Sequence, residues 1–338
     1  MNLRQLRYLC QVADSGFNIT GAARTLHTSQ PGISKQLSVL ERELNVDILA
    51  RRGNRIVGVT EPGKAILQVA RRMLADAHNL QRISEEFRTQ DAGRFVVGTT
   101  HAHARYVLPD VIQRFTERYP KVQLVIRQEN ESRIAGMVSA GEADIGIAAE
   151  PPEPHGELLT LPCYKLPRSV ITQPRHPLLR EKQLSLEHIA RYPIITLDAS
   201  FAGGRKVLQA FAAAGLKPTV VMSAIDADVI KSYVELGLGV AILPTIAFVP
   251  ERDHRLRAKD ASHLFDPTVA CIQLRRNQYL LPYMLNFIQL LAPQWTSQAL
   301  NRALDTGQVP DRPITELLGM AKAPLRTRQQ KTAARIRR

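Results

Sequence analysis

Cysteine is scarce: Cys10, Cys163 and Cys271 are the only three in 338 residues, odd in number and widely spaced. That argues against a disulfide framework and a structural zinc site, and fits a reducing cytoplasm. Long apolar runs are missing too. The uncharged stretch from Asn277 to Asn301 is broken by Pro282, Asn286, Gln289, Pro293 and Gln294, whereas a spanning helix needs about 20 mostly apolar residues. The opening residues Met1 to Arg7 lack the continuous apolar core of a signal peptide. No Walker loop, dinucleotide fingerprint or serine elbow occurs. No catalytic set assembles, no cofactor is expected, and the protein is expected to stay inside the cell, away from membranes.

Acidic residues are the minority charge. Lys plus Arg number 45 against 31 Asp plus Glu, a formal net charge of +14. The excess is uneven. Residues 1–90 hold 13 basic and 8 acidic side chains, 91–310 hold 24 and 21, and 311–338 hold 8 and 2. Positive charge clustered at the ends of a chain is the footprint of a polyanion partner. The run from Lys322 to Arg338 has seven basic residues and no acid. It reads either as a disordered, solubilising tail or as extra non-specific attraction for phosphate. With 44% hydrophobic residues, a chain of this length makes about two domains and a sizeable core without staples.

Near the N-terminus Leu6, Leu9, Cys10 and Ala13 recur at helical spacing, and Gly16 ends that helix. A second short helix spans Ile19 to Leu26, where small Ala22 and Ala23 allow close approach of another helix. A break follows at His27-Thr28. The third helix takes Ser29 as N-cap and Pro31 in its first turn. Its buried stripe is Ile33, Leu37, Leu40 and Leu44, and its outer face carries Gln30, Ser34, Lys35, Ser38 and Arg42. This pattern fits a helix-turn-helix, though a plain three-helix bundle with a solvated face fits the same periodicity. In the first reading Gln30 and Ser34 reach base edges, while Thr28, Ser34, Lys35 and the helix-start N–H groups hold phosphates. Residues 48–57 then read as a hairpin turning at Gly53-Asn54. Its arginines Arg51, Arg52 and Arg55 form a wing over the DNA backbone.

The string Thr28-Ser29-Gln30-Pro31-Gly32-Ile33-Ser34-Lys35-Gln36-Leu37, followed by Leu40-Glu41, resembles the winged helix-turn-helix of LysR-type transcriptional regulators. Asn45 and Leu49 depart from the common pattern without touching the reading face. The resemblance implies that residues 28–31, 34–36 and the wing arginines face double-stranded promoter DNA.

Thr60-Glu61-Pro62-Gly63 marks another helix start, with Thr60 as cap and Pro62 in the first turn. From there to about Thr89 the apolar positions Ile66, Ala70, Met73, Ala77, Leu80, Ile83 and Phe87 alternate by threes and fours. About 28 residues make a helix of roughly 40 Å. Such a seam suits pairing with a second copy, or packing on the following domain. The resemblance implies the former, a dimer through this linker helix and a tetramer beyond it.

From residue 94 the period changes. Strands are expected at 95–98, 122–126, 144–148, 194–197, 220–223, 240–243 and 269–274. Helices are expected at 106–118, 132–140, 205–214, 227–235 and 282–291. The fold class is therefore α/β with largely parallel sheets. The resemblance implies an effector domain of two Rossmann-like subdomains of the periplasmic-binding-protein kind. The expected division is 1–59 winged helix-turn-helix, 60–90 linker, 91–295 effector domain (92–162 with 268–292, and 163–267), and 296–338 basic tail, partly disordered. The middle alone also suits a solute-binding protein.

The strings Thr99-Thr100-His101, Ala104-Arg105-Tyr106, Leu161-Pro162-Cys163-Tyr164, Asp226-Ala227-Asp228-Val229-Ile230-Lys231 and Leu236-Gly237-Leu238-Gly239-Val240 resemble the CysB-type subgroup, regulators of the cysteine regulon and of sulfonate use. That resemblance implies control of sulfur-metabolism genes, with RNA polymerase as a further partner of an activator. It also implies an anion site at positions 100, 102, 103, 149 and 202, next to Thr99 and His101. Here Thr100 keeps a hydroxyl, while Ala102, His103, Ala149 and Ala202 replace the subgroup's polar contacts. The expectation is therefore either a different sulfur compound or a cleft with weak sulfate affinity; the candidate effectors are sulfate, O-acetylserine, N-acetylserine or a sulfonate-related anion, with a non-sulfur anion of an unrelated pathway as the alternative. His103 and Arg105 are expected to add positive charge there. His101 and His103 make an H-x-H pair, which lacks a third metal ligand at defined spacing. Asp226 and Asp228 precede a helix, where capping explains them.

Overall fold

A computed structural model describes residues 1–53, 55–88, 92–149, 158–276, 278–311 and 314–317. The lysine- and arginine-rich run from Lys322 to Arg338 and the turn residue Asn54 lie outside the described residues. In chain order the elements are α1 (Leu3–Asp14), α2 (Ile19–Thr25), α3 (Gln30–Leu44), β1 (Leu49–Arg52), β2 (Arg55–Val59), α4 (Glu61–Arg88), β3 (Ala92–Thr99), α5 (His101–Tyr106), α6 (Leu108–Arg118), β4 (Lys121–Gln128), α7 (Glu131–Ser139), β5 (Ile145–Ala149), β6 (Leu158–Leu166) and β7 (Arg168–Thr172). There follow α8 (Leu186–Ala190), β8 (Ile194–Leu197), α9 (Ala202–Ala213), β9 (Val220–Ala224), α10 (Ala227–Glu235), β10 (Val240–Pro244), β11 (Arg257–Asp260), β12 (Thr268–Arg275), α11 (Pro282–Leu291), α12 (Ser297–Thr306) and β13 (Thr315–Glu316). The chain forms two compact units. The first is Met1–Leu161 with Cys271–Asp311, and the second is Pro162–Ala270 with the C-terminal residues.

The first unit begins with the three-helix bundle. Asn2 and Gln5 close a capping box on α1, and the Asn18 side chain accepts from Gly21 N at the start of α2. The chain turns sharply at Gly16, Phe17 and His27, all with positive φ. Leu9, Val12, Ala22, Ile33 and Leu40 are fully buried together, an apolar burial worth roughly 1.5–3 kcal/mol for each large side chain. The stripe of α3 differs from expectation at its end. Leu44 is 38% exposed, and Glu41 takes the inward position beside Leu40.

The first turns of α4 complete this core. Ala70 is buried in it, and Ile66, Leu67 and Leu74 pack against it. Arg71 forms an ion pair with Asp14 of α1. The front of the expected seam is therefore covered by the chain's own α1. Met73 and Leu80 stay exposed, and the side chains of Ile83 and Phe87 lie outside the described residues.

Further along the first unit, β3 pairs in parallel with both β4 and β5. One face of this sheet carries Phe95, whose ring lies 5.8 Å from that of Phe115 and 5.2 Å from that of Phe287. The helix expected over 106–118 starts two residues later, as α6 with Pro109 in its first turn, and the short helix α5 precedes it over residues that, Tyr106 apart, are not expected to be helical. Helix α12 forms inside the stretch expected as tail, with Leu300 and Ala303 buried and Trp295 fully buried just before it.

In the second unit the five strands run in the order β11-β7-β10-β8-β9. β8 is parallel to β9 and β10, and β7 runs antiparallel to β10 and β11. Val207 and Phe211 of α9 pack on Val170, Ile194, Val240 and Ile242. β13 pairs in parallel with β6 at Tyr164 and Lys165. All three cysteines are buried. No helix among the described residues is long and apolar enough to cross a membrane.

Candidate DNA-binding and effector-binding sites

The start of α3 is held from two sides. Ser29 caps it, its Oγ accepting from Gly32 N at 3.2 Å, and Ile33, Leu37 and Leu40 anchor its inner face. That leaves Gln30, Pro31 and Lys35 exposed, with Ser34 and Gln36 half-buried beside them. Gln30 Nε2 lies 3.5 Å from Ser34 Oγ, a contact weak enough to yield to a base edge. Before the helix, the Tyr8 phenol accepts from Arg4 Nε at 2.8 Å. The amide-bearing and basic residues thus present one face at a helix N-terminus, the geometry that reads a major groove.

Of the wing arginines, Arg52 and Arg55 are exposed and pair across the hairpin tip. Arg51 is engaged otherwise. Its guanidinium grips the Glu41 carboxylate, whose Oε1 also accepts from Ile48 N and Leu49 N at 3.0 Å each. Burial pushes the Glu41 carboxyl up, but Arg51 and the two backbone amides outweigh it and hold the carboxyl below its ordinary range. Arg51 therefore fastens wing to helix rather than standing free over a phosphate. Sequence reasoning missed Glu41. Its one signal was its place after Leu40, inside the apolar stripe.

The residues expected at the effector site fall in both units. In the first, Thr99, Thr100, His101, Ala102, His103 and Ala149 gather at the carboxyl ends of β3 and β5, where Thr99 and Ile147 are paired. Thr99 is fully buried and donates to Ile147 O at 2.9 Å. Thr100 Oγ1 lies 2.7 Å from His103 Nδ1, and His101 Nδ1 lies 3.3 Å from Gln128 Oε1. Ala202 opens α9 in the second unit and is 7% exposed. The expectation that His103 adds positive charge is corrected. Burial pushes its pKa down to about 4, so the ring is neutral at physiological pH and acts as a hydrogen-bonding partner of Thr100. Asp226 is a helix cap as expected, accepting from Asp228 N at 2.6 Å.

Comparison with known proteins agrees with this layout. The profile described as a bacterial regulatory helix-turn-helix protein of the lysR family matches residues 3–64. The LysR substrate binding domain matches residues 88–296. The HTH-type transcriptional regulator SsuR of Burkholderia cenocepacia is 47% identical over 293 residues, 87% of this chain and 95% of that one. The transcriptional regulator CysB of the same organism is 43% identical, over 90% of this chain and 97% of its own. Among solved structures, the cofactor-binding domain of the Cbl transcriptional regulator superposes with a TM-score of 0.61 at 34% identity, covering 64% of this chain and 96% of that domain. A helix-turn-helix of this kind at one end and a matching effector-binding domain over most of the rest make the chain a member of the LysR family in its CysB-like subgroup, a DNA-binding transcriptional regulator and not an enzyme.

Proposed function

We propose that this regulator controls genes of sulfur metabolism (cysteine, sulfate or sulfonate use) in response to a small anionic effector. The kinship to SsuR and CysB supports the pathway. The carrying observation for DNA recognition is the exposed, capped start of α3. In this reading Gln30 and Ser34 contact base edges, Thr28, Ser29, Pro31, Lys35 and Gln36 set the helix on the backbone, and Arg52 and Arg55 hold flanking phosphates. Two copies pair through α4, whose Met73 and Leu80 are exposed, and pairs of dimers make the tetramer. The protein works in the cytoplasm, with RNA polymerase as its partner where it activates.

A second reading keeps the regulator and changes the effector. Ala102, His103, Ala149 and Ala202 stand where the subgroup carries polar contacts, and each lost hydrogen bond is worth about 1 kcal/mol. That favours a non-sulfur anion of another pathway. Titration of the full chain with sulfate, O-acetylserine, N-acetylserine and alkanesulfonates separates the two. Gel-shift of DNA upstream of sulfate- and sulfonate-uptake operons tests the regulator itself. Site-selective retention with a steep salt slope is expected; equal retention of every sequence overturns it.

A further inference from the structure

Arg168 of the second unit has more donors than partners. It opens β7 opposite Pro244, and its side chain is fully buried. Nη2 donates to Thr268 Oγ1 at 2.7 Å. Nε and Nη1 are buried with no hydrogen-bond partner among the described residues. No carboxylate pairs with the guanidinium among those residues either. Burial lowers its pKa only to about 10, so it stays charged at neutral pH. A buried, uncompensated guanidinium is costly and needs an opposite charge to offset it.

Its surroundings suit an anion. The first turn of α9 lies against the guanidinium: a Cβ built on Gly203 would sit 3.4 Å from Nη2 and 3.6 Å from Nη1. No side chain caps α9 at Phe201, and a helix start concentrates positive potential. Gly204 fixes that turn on the end of β8, since a Cβ there would fall 2.3 Å from Leu197 O. Successive residues alternate across a strand. Arg168 therefore shares the α9-covered face with Val170, and Thr196 shares it with Ile194. Thr196 is 2% exposed, and its hydroxyl has no partner among the described residues. Lys206, one turn into α9, adds a second cation, held by Pro267 O at 2.7 Å.

We propose that the second unit holds a small oxoanion of the sulfate, sulfonate or carboxylate class at the start of α9, with the Arg168 guanidinium as its counter-charge. This rests on the effector reading above and deepens it. Charge from beneath α9 takes over what Ala202, at its start, does not supply as a hydroxyl. A guanidinium attracts any of these oxoanions, so the remaining contacts choose among them.

The test is calorimetric titration of the full chain with sodium sulfate, against sodium chloride at equal ionic strength, for wild type, Arg168→Met and Arg168→Lys. Charged hydrogen bonds of this kind correspond to about ten- to a hundredfold in affinity. Arg168→Met is expected to lose that much and Arg168→Lys less. Exchanging a buried, unpaired charge for an apolar chain is neutral or stabilising. Arg168→Met should therefore melt no lower than wild type in sulfate-free buffer, still shift promoter DNA, and lose the rise in Tm that sulfate gives wild type. Equal sulfate affinity in wild type and Arg168→Met overturns the Arg168 site and leaves the effector reading standing. A wild type that takes up neither sulfate nor any of the other effectors above overturns both.

Discussion

Glu41 and Arg51 form a two-point ion pair between α3 and the wing, with Arg51 Nη2 2.6 Å from Oε2 and Nη1 3.1 Å from Oε1. The same carboxylate holds the backbone amides of Ile48 and Leu49. One side chain on α3 thus sets the position of the strand that follows it.

Replacing Glu41 by Gln should therefore loosen the wing. Losing the charged acceptor of several bonds is expected to lower stability of the N-terminal domain by about 2 kcal/mol, read by urea melts. The pH dependence has a definite sign. The folded-state carboxyl titrates below its unfolded value of about 4.3. Its contribution is whole above that pH and is lost as pH falls through the folded value. Glu41→Gln should remove this acid sensitivity.

Lys35 and Gln30 should separate affinity from selectivity. Lys35→Ala is expected to weaken binding uniformly across sequences and lower the salt slope by about one. Gln30→Ala should instead narrow the gap between operator and non-operator DNA by about 1–3 kcal/mol. Salt-resolved gel-shifts read both. Unchanged slope and unchanged selectivity would remove α3 from the interface.

His103 predicts a second pH effect. Its folded pKa of about 4 lies below the ordinary histidine value of about 6.5. The unfolded chain binds the proton first, so stability is full above about pH 6.5 and declines as pH falls toward 4. The integrated effect is about 3 kcal/mol at most. His103→Asn should flatten this slope between pH 4 and 6.5, measured by denaturant melts at several pH values.

Leu80 is 69% exposed on α4. If α4 pairs two copies, Leu80→Glu should weaken self-association markedly while the monomer stays folded, as read by sedimentation equilibrium together with circular dichroism. Unaltered association would place the dimer contact elsewhere.

Much of this architecture was legible because periodicity reports burial. Helices α10 and α11 fall where their apolar spacing put them, and Ser29 caps α3 as its position suggested. Where a polar group is buried with its partner, that signal fails. Glu41 broke the α3 stripe because its partners, Arg51 and the amides of Ile48 and Leu49, come from the chain that follows the helix. β7 escaped notice because it opens on Arg168, a charge that reads as surface. β6 carries Pro162, which disguises a strand. His103 looked cationic because a sequence shows a titratable ring and not its desolvation.

The short strand β13 lies along β6 at Tyr164 and Lys165, beyond helix α12. Shortening the chain after Thr306 would strip that cover and bare backbone donors and acceptors ready to recruit a stray strand. Trimmed recombinant versions should then precipitate more readily than the intact protein, so purification handles belong at the other terminus or past residue 338, never in place of these residues.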